Sequence, residues 1–143
     1  MIKSIRHKFV FTHPLEVVWD HLTKAELIEQ WLMKNDFQPI PGYEFQFKAK
    51  PSPQLNFDGI VYCKVLEIIP LKKLSYSWRC GPGNGEISVD SVVTWTLRPI
   101  ENGAELLLEH SGIDQASGLA MYAALNEGWM KNIQKMTENI NAA

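Results

Sequence analysis

At 143 residues, with 45% hydrophobic and 21% charged side chains, the chain has the size and composition of one globular domain that can bury a core without staples. A net charge of −2, a pI near 6.1 and the lack of any basic run exclude a nucleic-acid binder. No apolar stretch approaches the ~18 residues needed to span a bilayer, and MIKSIRHKF at the N-terminus has no secretory h-region, so the expected location is cytoplasmic, with Cys63 and Cys80 as separate reduced thiols.

The first element is a strand over residues 3–12, in which Ile5, His7, Phe9 and Phe11 alternate with Arg6, Lys8, Val10 and Thr12. Residues 12–31, THPLEVVWDHLTKAELIEQW, read as two short helices end to end. Pro14 takes a first helical position with Glu16 in the same turn, which suits the helix dipole. Thr23 and Glu26 form a T-x-x-E capping box that opens the second helix. Leu15, Val18, Trp19 and Leu22 line one face of the first helix, and Leu27, Ile28 and Trp31 one face of the second. Pro39, Pro41 and Gly42 then make a turn.

Tyr43, Phe45 and Phe47 alternate with Glu44, Gln46 and Lys48 in a second strand, and Pro51 to Asn56 is a loop. Residues 57–69 form a third strand, apolar on both faces, whose inward side is therefore open, and which Pro70 ends. After a turn at Lys72 and Lys73, Leu74, Tyr76 and Trp78 alternate with Ser75, Ser77 and Arg79 in a fourth strand. GPGNG, Gly81 to Gly85, is a loop, and residues 88–99 are a fifth strand with Val93, Trp95 and Leu97 on one face. Asn102-Gly103 is a two-residue hairpin signal leading to a sixth strand, with Leu106, Leu108 and His110 on one face.

The last segment predicts a long helix from Gln115 to Asn141 with Asp114 as N-cap. At ~1.5 Å per residue it is about 40 Å long, enough to cross a whole sheet. Leu119, Tyr122, Leu125, Trp129, Ile133, Met136 and Ile140 form its apolar stripe, and Glu127 and Lys131 a favourable i,i+4 pair. Gly128 inside it costs roughly 1 kcal/mol relative to Ala, which suggests a close backbone approach or a slight bend. Hairpin-linked strands imply an antiparallel sheet. One helix cannot cover both faces of such a sheet, so the economical arrangement is a strongly curved sheet wrapped round it. Space between a curved sheet and a straight helix is either filled by side chains or becomes a pocket.

The chemistry-bearing residues are sparse. His7, His13, His21 and His110 show no metal-ligand spacing, and there is neither H-E-x-x-H nor C-x-x-C. His110 shares its face with Leu106 and Leu108, so it is either a core histidine bonded to backbone or the polar anchor of an apolar pocket. GPGNG follows a strand but opens no helix and precedes no lysine, which makes it a hairpin loop rather than a phosphate cradle. Trp19, Trp31, Trp78, Trp95 and Trp129 read mainly as core, with Trp78 and Trp95 on the expected concave face. Glu67 shares a nominal face with Val61, Cys63 and Val65, but an ion-paired surface role suits a carboxylate better. No activated nucleophile appears, and Cys63 lies mid-strand where thiols are inert.

Three motifs then coincide in order: P-x-x-x-V-W-D-x-L-T…W (Pro14, Val18, Trp19, Asp20, Leu22, Thr23, Trp31), H-S-G-I (His110 to Ile113) and G-W-x-x-x-I (Gly128, Trp129, Ile133). With V-L-E-I-x-P (Val65 to Pro70) and Trp78, they resemble the family named for the activator of the ninety-kilodalton heat-shock chaperone's ATPase. That family (AHSA-type) belongs to the START-like, SRPBCC, helix-grip superfamily, with polyketide cyclases, lipid-transfer domains and the birch-pollen allergen. The resemblance spans residues 3–141. It implies an α+β helix-grip fold, a curved antiparallel six- to seven-stranded sheet round a long C-terminal helix, and a cavity for apolar ligands. Chaperone-activating members carry a further domain, for which this length leaves no room.

The reading that follows is one START-like domain over residues 1–143. It binds a small apolar or amphipathic molecule without catalysis, in a cavity lined by Phe45, Tyr76, Trp78, Val93, Trp95, Leu108, His110, Met121 and Leu125. It calls for no metal or cofactor, no nucleic acid and no membrane span. The alternatives are a protein-interaction module, with a chaperone as the possible partner, and a cyclase- or hydrolase-type enzyme using the same cavity.

Overall fold

The computed structural model describes residues 2–114 and 119–142. Strand β1 (Ile2–Phe11) is followed by helices α1 (Leu15–Thr23) and α2 (Ala25–Trp31). Six further strands come next: β2 (Lys34–Asn35), β3 (Glu44–Lys48), β4 (Ile60–Ile69), β5 (Lys73–Cys80), β6 (Val89–Ile100) and β7 (Gly103–Asp114). Helix α3 (Leu119–Ala142) is the last element described. The strands form one antiparallel seven-stranded sheet in the order β1-β7-β6-β5-β4-β3-β2, curled round α3. This is the expected helix-grip architecture, with β2 the strand that the sequence did not disclose. At a length of two residues, it is too short to show a periodicity.

The alternation predicted for each long strand holds where the burial pattern is simple. Ile5 and Phe11 in β1, Phe45 and Phe47 in β3, and Leu106, Leu108 and His110 in β7 all face the core. The open question of the third strand is answered by β4, which turns Val61, Cys63 and Val65 inward and leaves Tyr62 and Leu66 exposed. The strand starts at Ile60 rather than at residue 57, and the preceding loop contains a single 3-10 turn, Pro53–Leu55. A register shift between Val65 and Glu67 inverts the alternation, so Glu67 points outward and pairs with Lys73 at 2.8 Å. A second shift opposes Lys3–Ile5 to Ile113–His110, with an additional residue on β7. It falls where Gly112 takes φ +85°, a conformation that glycine adopts without a Cβ penalty. These irregularities increase twist and help the sheet to curl.

Several local expectations are corrected. Pro14 is the N-cap of α1, in extended conformation, rather than its first helical residue. The Thr23–Glu26 capping box does not form. Thr23 is still the last residue of α1, buried, and its hydroxyl donates to the Trp19 carbonyl at 2.8 Å. Lys24 then caps α2 with no side-chain bond, which places Glu26 one position too early in the helix to reciprocate. The two-residue hairpin lies one position before its motif. Ile100 pairs with Gly103, so Glu101 and Asn102 form the loop, with Asn102 at φ +63°. Gly103 is needed for a different reason: a Cβ there would collide with the Phe11 carbonyl oxygen of β1.

Helix α3 buries Met121, Trp129, Ile133, Met136 and Ile140, with Tyr122 and Leu125 packed partly against the core. Leu119, assigned to the same stripe, is 64% exposed, and Met121, two residues further on, takes the inward position instead. The expected helix start at Gln115 and the Asp114 cap lie outside the residues whose side chains are described. Glu127 and Lys131 form the predicted i,i+4 pair at 2.9 Å. An added Cβ at Gly128 would meet nothing within 4 Å, so no close backbone approach explains this glycine. No described helix is long and apolar enough to cross a membrane.

Candidate functional site

The concave face of the sheet is filled by aromatic rings rather than left open. Phe37 meets Phe45 at 5.0 Å between centroids, Phe45 meets Tyr76 at 5.4 Å, and Phe47 meets Trp78 at 5.5 Å. Trp129 of α3 enters this row, 5.2 Å from Trp78 and 5.5 Å from Trp95, and Trp31 of α2 closes it 5.9 Å from Trp95. Most contacts are edge-to-face or tilted, the arrangement the ring quadrupoles favour. Trp95 Nε1–H donates to the Tyr76 hydroxyl at 3.0 Å, so the polar ends of both rings are satisfied inside the core. Burial pushes the Tyr76 hydroxyl far above its ordinary range.

His110 lies at the centre of this packing, fully buried. Trp129 Nε1–H donates to His110 Nδ1 at 3.0 Å. An indole can only donate, so Nδ1 is the unprotonated nitrogen and the proton resides on Nε2. Nε2–H then donates to Ser91 Oγ at 2.7 Å, and Ser91 Oγ–H donates to the Trp78 carbonyl at 2.9 Å. Every link runs in one direction and no nitrogen is left over. Burial holds the imidazole neutral, with its pKa pushed down to about 3. His110 is thus packed in the core, but its ring is held by the side chains of Ser91 and Trp129 rather than by the backbone carbonyl expected of a core histidine. The network joins β5, β6, β7 and α3.

Unfilled space lies to one side of the aromatic row, beside the first half of α3. A cavity of about 180 Å³ is bounded by Met33, Leu55, Phe57, Val61, Trp78, Cys80, Met121, Ala124 and Leu125. Val61, Trp78, Cys80 and Met121 are buried and form its floor, while Met33, Leu55, Phe57, Ala124 and Leu125 are half-buried and form its mouth. A smaller space of about 90 Å³ shares Met33, Trp78, Ala124 and Leu125 with it and continues along α3 past Gly128, Trp129 and Asn132. The described wall of the larger cavity holds no charged, hydroxyl or amide side chain. Its thiol stays protonated, since burial and then the nearby Asp58 carboxylate push Cys80 up to about 11.

Of the residues expected to line a pocket, Trp78, Met121 and Leu125 meet at this wall. Phe45, Tyr76, Val93, Trp95, Leu108 and His110 lie instead in the packed core, because the bulky side chains of β3, β5 and β6 interlock with Trp31 and Trp129 and occupy the expected volume. Met33, Leu55, Phe57, Val61, Cys80 and Ala124 were missed. The phase of Val61 and Cys80 on adjacent strands was the available signal, but it needed the inward face of β4. Leu55, Phe57 and Met33 belong to irregular segments, which carry no periodicity. Among the described residues, no group of three His, Cys, Asp or Glu side chains is placed to hold a metal ion.

This architecture has known counterparts. The model of the Activator of Hsp90 ATPase homolog 1-like protein family matches residues 12–141. The solved structure of protein MLL2253 from Mesorhizobium loti is 32% identical, covers 99% of this chain and 98% of its own, and superposes with a TM-score of 0.86. Protein BH1534 of Bacillus halodurans is 22% identical over 96% of both chains, with a TM-score of 0.76. The Colwellia psychrerythraea protein described as the Aha1 dimer is 18% identical over 96% of both, with a TM-score of 0.77. At those identities the latter two share the fold. No curated protein matches the chain. With the family model spanning nearly its whole length and a 32% identical relative of the same extent, the chain belongs to the Activator of Hsp90 ATPase homolog 1-like family.

Proposed function

We propose that the protein binds a small apolar or amphipathic molecule in the cavity beside α3 and performs no chemistry on it. One observation carries the reading: an apolar cavity of about 180 Å³ has a buried floor and a half-buried rim. Apolar sites favour uptake from water by the area they desolvate when they are concave, and this one is. A cyclase or hydrolase requires at least two polar groups converging on the substrate. The described wall holds no charged, hydroxyl or amide side chain, and His110 is committed to Trp129 and Ser91.

A chaperone-linked or other protein-interaction role would be supported by a continuous apolar patch on the outer face of the sheet. The exposed apolar residues there fall in two groups, Tyr62, Leu66 and Ile69 on β4 and Leu107 with Val10 on the paired strands β7 and β1, and β5 and β6 separate the two groups. Those strands present ion pairs instead, Arg79 with Asp90 and Arg98 with Glu105. Native mass spectrometry of freshly purified protein tests the binding reading. A co-purifying small molecule is expected in wild type and should be lost from Ala124→Phe, which fills the space shared by both cavities. A molecule retained equally by the variant would overturn the assignment to this cavity.

A further inference from the structure

Gly128 interrupts the one long helix where no neighbour requires it. Its backbone is not in the left-handed region, and an added Cβ would meet nothing within 4 Å. A glycine there forfeits helix propensity without relieving a clash. The open space beside it has a direction. Spacings of three and four put Met121, Ala124, Leu125, Gly128 and Asn132 on one face of α3. Met121 borders the larger cavity, Gly128 and Asn132 border the smaller, and Ala124 and Leu125 border both. A helical side chain leans toward the N-terminus and covers the turn before its own Cα. A side chain at position 128 would therefore lie over Ala124 and Leu125, at the junction of the two spaces. Its absence leaves that junction open.

Volume and polarity define an occupant. The larger space, about 180 Å³, is slightly above the roughly 150 Å³ that holds a benzene. The smaller, about 90 Å³, has room for roughly three water-sized groups at ~30 Å³ each. No charged side chain borders either one, and an unpaired charge does not leave water for such a site. Trp78 borders both, but its indole N–H is closed off from solvent and has no acceptor, so its side chain offers a ligand apolar surface alone. We propose that the two spaces act as one elongated site, which takes an uncharged ligand with a ring-sized body beside Val61 and Met121 and a tail of about three non-hydrogen atoms laid against Gly128. This rests on the binding reading above and specifies its ligand class. Gly128 is the residue that sets the permitted length.

Three probes test the shape and the charge. Toluene carries the body alone, n-propylbenzene lengthens its tail by two CH₂ groups, and 2-phenylethylammonium matches n-propylbenzene in heavy atoms but ends in a charge. Affinities are measured by titration at pH 7 on wild type and on Gly128→Ala, and amide spectra of nitrogen-15-labelled wild-type protein are followed in parallel. In wild type, n-propylbenzene should bind about 15-fold more tightly than toluene, as for two buried CH₂ groups. It should also shift the backbone amide signal of Gly128, which toluene leaves in place. The charged probe should bind more weakly than toluene. In Gly128→Ala the affinity ratio of n-propylbenzene to toluene should fall about fourfold, as for one CH₂ group displaced by the new methyl. A glycine that matters only to the helix would leave this ratio unchanged. Toluene binding with an unchanged ratio in the variant, and a Gly128 signal indifferent to n-propylbenzene, would overturn the elongated site and leave the binding reading standing. Equal affinity for n-propylbenzene and the charged probe would overturn the restriction to uncharged ligands. Binding of none of the three would overturn the binding reading and this inference with it. The wild-type spectra decide the question even if Gly128→Ala fails to fold.

Discussion

His110 shows how one residue can be legible by face and illegible by role. Its position on an apolar face follows from the alternation with Leu106 and Leu108. Its partners do not follow, since Ser91 and Trp129 are each 19 residues away on other elements. The consequence is a pH dependence of stability. The folded imidazole, neutral through burial, protonates only near pH 3, whereas the unfolded one does so near 6.5. Below 6.5 the unfolded state therefore binds a proton that the folded state refuses. The contribution present in full above pH 6.5 is lost as pH falls from there toward about 3, at up to about 1.4 kcal/mol per pH unit. His110→Gln should lower the urea midpoint at pH 7 and flatten its decline between pH 6.5 and 4. A variant with the wild-type slope would show that other groups set the acid limit. Trp129→Ala should cost about 3–5 kcal/mol at pH 7 by the same measurement, as for large aromatic core truncations. It is 2% exposed, and its loss also leaves His110 Nδ1 unpaired.

Helix α3 was predicted from its spacing, and the C-terminal half of its stripe, Trp129 to Ile140, is buried as expected at Trp129, Ile133, Met136 and Ile140. The N-terminal end departs from the pattern, with Leu119 exposed and Met121 buried. Leu119→Gln should accordingly change stability by less than about 0.5 kcal/mol. Gly128 is the more informative position. Its missing side chain borders open space rather than a neighbouring backbone. Gly128→Ala should raise stability by about 0.5–1 kcal/mol through helix propensity alone, read as an increased urea midpoint, and reduce the smaller cavity. A destabilised variant would show that the backbone is bent there. The inversion of β4 after Val65 belongs to the same scale. Strict alternation puts Glu67 inside, but the bulge restores it to solvent and to Lys73.

At the scale of the molecule, the sheet is a meander except for one closure, the pairing of β1 with β7. The first strand thereby packs beside α3, where His7 Nε2–H donates to Asn126 Oδ1 at 2.8 Å. Ile5 is 1% exposed and sits opposite His110 in that pairing. Ile5→Ala should cost about 2–5 kcal/mol in urea unfolding. A loss well below that would mean that β1 is dispensable to the core. The helix-grip arrangement itself follows from one argument, that a single helix can serve a broad sheet only if the sheet curls round it.

The amino-acid sequence by itself determined the order of the long elements, the inward face of β1, β3, β5, β6 and β7, and the family, because periodicity and short motifs are local properties. It also implied that space would remain between helix and sheet. Which residues border that space was decided only by the tertiary structure. The volume left over is what remains after Trp31, Trp78, Trp95, Trp129 and the phenylalanines of β3 have packed, and that remainder depends on how side chains from distant elements interlock. The cavity therefore lies beside the aromatic row rather than within it, against Cys80, Ala124 and the irregular segment carrying Leu55 and Phe57. The same holds for the indole N–H of Trp78, which no pattern in the chain distinguishes from those of Trp31, Trp95 and Trp129. Only packing determines which donor finds an acceptor.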